Sequence, residues 1–178
     1  ISPMVQSLET MYVACSETVY DGDALISAVT AFKRLERVVL NCKNSAFVYD
    51  PLTSLPLLRE LDVVFSVGNI WDVLPRLSVL RSLRVDLPLA ADSQPLRSRS
   101  LAHLHLDVLN NLEDLSAALD LAPEGALPCL RKIEVDGTYY EDFSLDSVES
   151  AHAVGTTLAA KLAHLPQLLF ELTYFLQV

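Results

Sequence analysis

Two short stretches decide how this chain folds: Leu80-Arg81-Ser82-Leu83-Arg84-Val85 and, 21 residues on, Leu101-Ala102-His103-Leu104-His105-Leu106. The second reads Leu-x-x-Leu-x-Leu, and the first differs only by Val85 in the last place. The residues after the second Leu alternate polar and apolar, as a strand with one buried side requires. With other apolar residues allowed in the three fixed places, the template recurs in both directions. Leu8, Met11, Val13 come first, then Leu35, Val38, Leu40, then Leu58, Leu61, Val63. Leu130, Ile133, Val135 follow the central pair, and Leu169, Leu172, Tyr174 make a weaker seventh match. Leu172 to Val178 reads as a further strand.

The starts are separated by 27, 23, 22, 21, 29 and 39 residues. All but the last fall at a repeat period of about 20–29 residues, so the last gap holds an insertion. Between the triplets the spacing becomes helical. Residues 24–35 place Leu25, Ala28, Val29, Phe32 and Leu35 on one stripe behind the turn Asp21-Gly22-Asp23. Residues 111–122 do the same behind the N-cap Asn111, and residues 146–165 behind Asp146 and Glu149, with Pro166 as the stop. Residues 70–80 predict only a short helix because Pro75 interrupts them, and 44–57 and 87–100 read as loops. Trp71 and Phe32 fall on apolar stripes and read as core.

Strand and segment in alternation also describe a doubly wound sheet. That fold does not require a repeated strand template, and no Gly-rich turn for a phosphate follows any strand here. The chain resembles the leucine-rich repeat family over nearly its whole length. The resemblance implies an α/β solenoid of about six to seven irregular repeats, with parallel strands on the concave side and helices or loops on the convex side. The family's Asn or Cys at the ninth place is replaced by Ser16, Lys43, Ser66, Pro88, Leu109 and Thr138. The irregular spacing is loosely similar to the divergent repeats of F-box-type ubiquitin ligase adaptors, which implies an adaptor or substrate-recognition role. Residues 1–178 form one repeat domain or a fragment of a longer repeat protein.

Composition narrows the partner. The 178 residues are 51% hydrophobic and 20% charged, with a net charge of −10 and a pI near 4.7. Such a chain repels phosphate, so nucleic acid and anionic membrane surfaces are not expected partners. Mean hydropathy is +0.32, yet no run of about 20 apolar residues could span a bilayer. Three cysteines, Cys15, Cys42 and Cys129, sit in apolar stretches and read as free buried thiols, which points to a reducing compartment, cytoplasmic or nuclear. Strand-like segments at both ends predict self-association through uncapped ends.

In such a solenoid the third, fifth and seventh places of the template face solvent, one row per repeat. The seventh places put Asp86, Asp107 and Asp136 in an acidic column, with Arg84, His105 and Glu134 beside it. His103, Arg37 and Asp62 lie on the same face, Tyr12 and Val39 make its N-terminal rows more apolar, and the last row is Glu171, Thr173, Phe175. Tyr139 and Tyr140, in the loop after the sixth triplet, stand at the rim as adjacent aromatics suited to a hot spot. This face predicts binding of a protein or peptide that carries basic residues. The alternative is a structural or regulatory segment of a larger repeat protein. A hydrolase is the weakest reading, because no Gly-x-Ser-x-Gly elbow occurs and an open face does not desolvate a carboxylate. No cofactor is expected. His103 and His105, with Asp107 and Asp86 or Asp136, have donor types that suit zinc, but an open sheet without supporting groups around the donors predicts no metal.

Overall fold

In a computed structural model, the five central triplets, from Leu35 to Val135, turn their fixed residues into the core. The structure describes residues 8–15, 21–67, 70–87, 96–108, 125–137, 156, 160, 163 and 169–174. Seven strands form one sheet in sequence order: β1 Thr10–Cys15, β2 Arg37–Ala46, β3 Glu60–Val67, β4 Ser82–Leu87, β5 His103–Val108, β6 Lys132–Gly137 and β7 Leu169–Tyr174. Every neighbouring pair is parallel. Parallel neighbours need a crossover between them. Here the described crossovers are α1 Gly22–Val29 and the 3-10 helices Asp50–Ser54, Ile70–Asp72 and Leu74–Arg76. A parallel, sequence-ordered, open sheet with few helices among the described residues fits the leucine-rich repeat architecture.

The core lies between sheet and crossovers. Leu40, Leu61, Leu83, Leu104 and Ile133 are at most 2% exposed and belong to one cluster with Ile26, Leu52, Trp71 and Leu74. Trp71 is buried as its spacing predicts, and Phe32 is partly buried against the same cluster. Burial of this kind stabilises by roughly 25 cal/mol for each Å² of apolar surface.

A tight turn precedes most strands. Leu35 N–H donates to Phe32 O, Leu58 to Leu55, Leu80 to Leu77 and Leu130 to Leu127. The template therefore starts three residues earlier, with an apolar residue at Phe32, Leu55, Leu77 and Leu127. Ser98 takes that place before Leu101. It is 3% exposed, and its Oγ accepts from Leu101 N–H at 3.1 Å, so the hydroxyl replaces the missing carbonyl bond. A second regularity joins the repeats. The carbonyl at the second place accepts two N–H groups from the next repeat: Glu9 from Glu36 and Arg37, Glu36 from Arg59 and Glu60, Arg59 from Arg81 and Ser82, Arg81 from Ala102 and His103, and Ala102 from Arg131 and Lys132.

Three expectations need correction. Helix α1 ends at Val29 instead of running to residue 35. Asp21 caps its start, accepting from Ala24 N–H at 3.1 Å, but Val29, Thr30 and Phe32 are weak helix formers and Leu35 must already turn into the strand. The loop expected from residue 44 begins later, because β2 continues to Ala46 past an irregularity between Asn41 and Ser45. The seventh triplet is also misplaced by two residues. Phe170 pairs with Ile133 and Leu172 with Val135, and Leu169 N–H donates to Arg131 O. A shift of two residues keeps the same side chains on the same face, so alternation alone does not detect it. Residues 70–80 form two 3-10 turns about Pro75, as the short-helix reading implies. The helices expected at 111–122 and 146–165, and Tyr139 and Tyr140, lie outside the described residues.

Candidate functional site

The parallel register sets the face. Ser82, His103 and Lys132 stand side by side, then Arg84, His105 and Glu134, then Asp86, Asp107 and Asp136. The columns read from the sequence are therefore in place. The bonding between them runs diagonally, from one strand to the residue two places further along the next. Arg84 donates from Nε to Asp107 Oδ2 at 2.7 Å and from Nη2 to Asp107 Oδ1 at 2.9 Å. His105 Nε2 bonds Asp136 Oδ2 at 2.9 Å. His103 Nε2 bonds Glu134 Oε2, and Lys132 Nζ donates to Glu134 Oε1 along the same strand. Two longer contacts complete the lattice: His105 Nε2 to Asp107 Oδ1 and His105 Nδ1 to Glu134 Oε2, each 3.5 Å.

This lattice corrects the picture of a solvated acidic column. Asp107 is only 5% exposed, and its two oxygens sit in the Arg84 fork. Burial alone would raise its pKa, but the bonds from His105 and Arg84 outweigh burial and hold it below the ordinary carboxylate value. The same bond to Asp107 raises Arg84, and contact with Asp107 raises His105 against its own desolvation. Glu134 is pulled down to about 2, first by Lys132 and then by His103. Asp62 goes the other way. Burial raises its pKa more than Arg84 lowers it, and its buried Oδ1 has no hydrogen-bond partner.

The remaining face residues divide by exposure. Tyr12 is 64% exposed on β1, the sheet's first strand. Arg37 is exposed and pairs with Glu60 at 3.5 Å. Val39 is buried although its row faces outward. In the last row the corrected register sets Leu169 beside Lys132, Glu171 beside Glu134 and Thr173 beside Asp136. Cys42 is buried as expected, whereas Cys129 is partly exposed because it sits in the turn before Leu130. Sequence reading missed the second place. Arg59, Arg81 and Arg131 occupy it in three repeats and are exposed, whereas Glu9 and Glu36 hold it in the first two, so β4 and β6 start basic and end acidic. The signal was present in the template, one position before the rows examined as outward-facing.

In the connecting layer a groove is lined by Pro75, Leu77, Ser78 and the Arg97–Ser100 segment. Its buried hydroxyls are engaged: Ser100 Oγ donates to Leu77 O at 3.2 Å, and Ser98 Oγ serves the turn. No described helix is long and apolar enough to cross a membrane.

No protein-family model matches the chain, and no curated protein matches it. Among solved structures it is similar to an internalin (InlF) from Listeria monocytogenes, with 14% identity and a TM-score of 0.33. That match covers 96% of this chain and 64% of the other, so this chain spans less than two thirds of the internalin structure's length.

Proposed function

We propose that this chain is a non-catalytic, divergent leucine-rich repeat module whose strand face, the concave side of the solenoid, captures a protein or an extended peptide in an adaptor or substrate-recognition role. The observation that carries the reading is the charge polarity of that face. Arg81 and Arg131 stand at the starts of β4 and β6, and Asp86, Asp107 and Asp136 line the ends of β4, β5 and β6. A partner with basic residues over the strand ends and acidic ones over the starts meets complementary potential along several repeats. The proposed contact residues are Tyr12, Arg37, Asp62, Arg84, Asp86, His103, His105, Asp107, Glu134, Asp136, Tyr139 and Tyr140. The Arg84–Asp107 fork orders the face more than it offers charge to a partner.

A non-catalytic role draws on the engaged state of the polar groups: paired carboxylates are held ionised, and the groove hydroxyls serve the backbone. The test is affinity capture from a native extract, in the presence of a chelator, with mass spectrometry of what is retained. The charge-reversed pair Asp86→Lys with Asp136→Lys leaves the buried Asp107 intact and is expected to lose the captured partner. Retention of the same proteins by both forms would refute the face assignment. The second reading, a structural segment of a larger repeat protein, draws on Leu169, which is 54% exposed on the sheet's last strand. It predicts concentration-dependent association in light scattering that Leu169→Lys abolishes.

A further inference from the structure

The reason for expecting no metal on this face was the lack of supporting groups, and the structure supplies them. His105 Nε2 lies 2.9 Å from Asp136 Oδ2 and 3.5 Å from Asp107 Oδ1, and the three donor atoms all fall within 4.8 Å of one another. A tetrahedral zinc ion with bonds of about 2.0–2.1 Å needs donor atoms about 3.3 Å apart. The two separations from His105 bracket that value, and the third pair, Asp107 with Asp136, lies within 4.8 Å, a gap that side-chain torsions can close.

The surroundings also fit. Glu134 Oε2 stands 3.5 Å from His105 Nδ1, on the far side of the ring from the other donors. A carboxylate there fixes the ring and makes the inner nitrogen a better donor. Arg84 grips Asp107 through both oxygens, which fixes the carboxylate and leaves a second lone pair on Oδ1 for an ion. Asp107 is buried and His105 only 17% exposed, so water competes weakly for them. Among the described residues around the triad five carboxylates, Asp62, Asp86, Asp107, Glu134 and Asp136, face three permanent cations, Arg37, Arg84 and Lys132. A doubly charged ion offsets that excess. Calcium and magnesium prefer all-oxygen shells of six or more, whereas imidazole with two carboxylates suits zinc.

We propose that His105 Nε2, Asp107 Oδ1 and Asp136 Oδ2 bind one divalent transition metal ion of the zinc class, with the fourth position open to water. The inference does not depend on the interaction reading, because it concerns three donor atoms and not a partner. The experiment is titration of the full chain, stripped with chelator, with zinc in a calorimeter, and with cobalt followed by absorbance. One ion per chain is expected. His105→Gln and Asp136→Asn should each abolish that site, and Glu134→Gln should weaken it by about 10- to 100-fold. The cobalt complex should show a tetrahedral spectrum without a thiolate charge-transfer band, which separates this site from Cys15, Cys42 and Cys129. In the unmutated chain the ring nitrogens of His105 should shift on zinc addition while those of His152 and His164 stay. That readout holds even where a variant fails to fold. No uptake by the unmutated chain, an unchanged site in both His105→Gln and Asp136→Asn, a thiolate band, or an unmoved His105 would each overturn the proposal.

Discussion

Asp107 keeps a negative charge at 5% exposure, and its two neighbours decide what that costs. An isolated charge there would be expelled or neutralised. Arg84 gives it two charge-assisted bonds, so Arg84→Met should destabilise the chain by about 2 kcal/mol in urea unfolding at neutral pH. Replacing both partners with apolar residues, Arg84→Met with Asp107→Leu, should recover most of that loss, because no buried charge is left unpaired. Equal or greater loss in the double variant would show that the fork itself is net stabilising. Asp62 behaves in the opposite sense. Its raised pKa means that ionisation at neutral pH opposes folding, and its inner oxygen lacks a hydrogen bond. Asp62→Asn is therefore expected to raise the unfolding midpoint slightly, by up to about 0.5 kcal/mol.

At the scale of the strand, inward and outward places should differ sharply in their tolerance. Leu83 is fully buried, and Leu83→Ala should cost about 2–5 kcal/mol. Leu169→Ala should change stability by less than about 0.5 kcal/mol, since the corrected register turns Leu169 outward. A large loss at Leu169 would restore the register in which it begins the seventh triplet. Six of the seven strands were legible from the template because a Leu every third residue, followed by alternation, is a demanding pattern. The seventh was misread because Leu169 and Leu172 satisfy the spacing equally well two residues out of step. The columns of the face were legible too, since parallel register follows from aligned triplets. The diagonal bonds were not. They depend on how long side chains lean across the sheet, which spacing does not encode. The burial of Asp107 follows from that lean, and so does the difference between a solvated column and a bonded lattice.

Across the whole molecule, the titrating groups define a pH window. Glu134 and Asp107 have lowered pKa values, so their contribution is present above the unfolded values of 4.5 and 3.8. It is lost as pH falls, for Glu134 on the way down to about 2. His105 has a raised pKa, so its contribution is complete below 6.5 and disappears as pH rises through its folded value. With chelator present, the thermal midpoint should therefore peak between about 4.5 and 6.5 and decline on both sides. His105→Gln should flatten the alkaline decline and, because His105 helps to hold Asp107 ionised, also weaken the part of the acid-side loss that Asp107 carries, leaving that of Glu134 in place. A midpoint that keeps rising above pH 7 would contradict the pairing assigned to His105. Finally, the joint between repeats is made by the main chain, and from β1 to β6 one carbonyl serves two successive N–H groups at the same place each time. Such a joint is indifferent to side-chain identity and to how long the intervening crossover is. The protein can therefore grow or shrink by whole units: a duplicated copy of residues 80–100 would present a fitting donor edge to one neighbour and a fitting acceptor edge to the other.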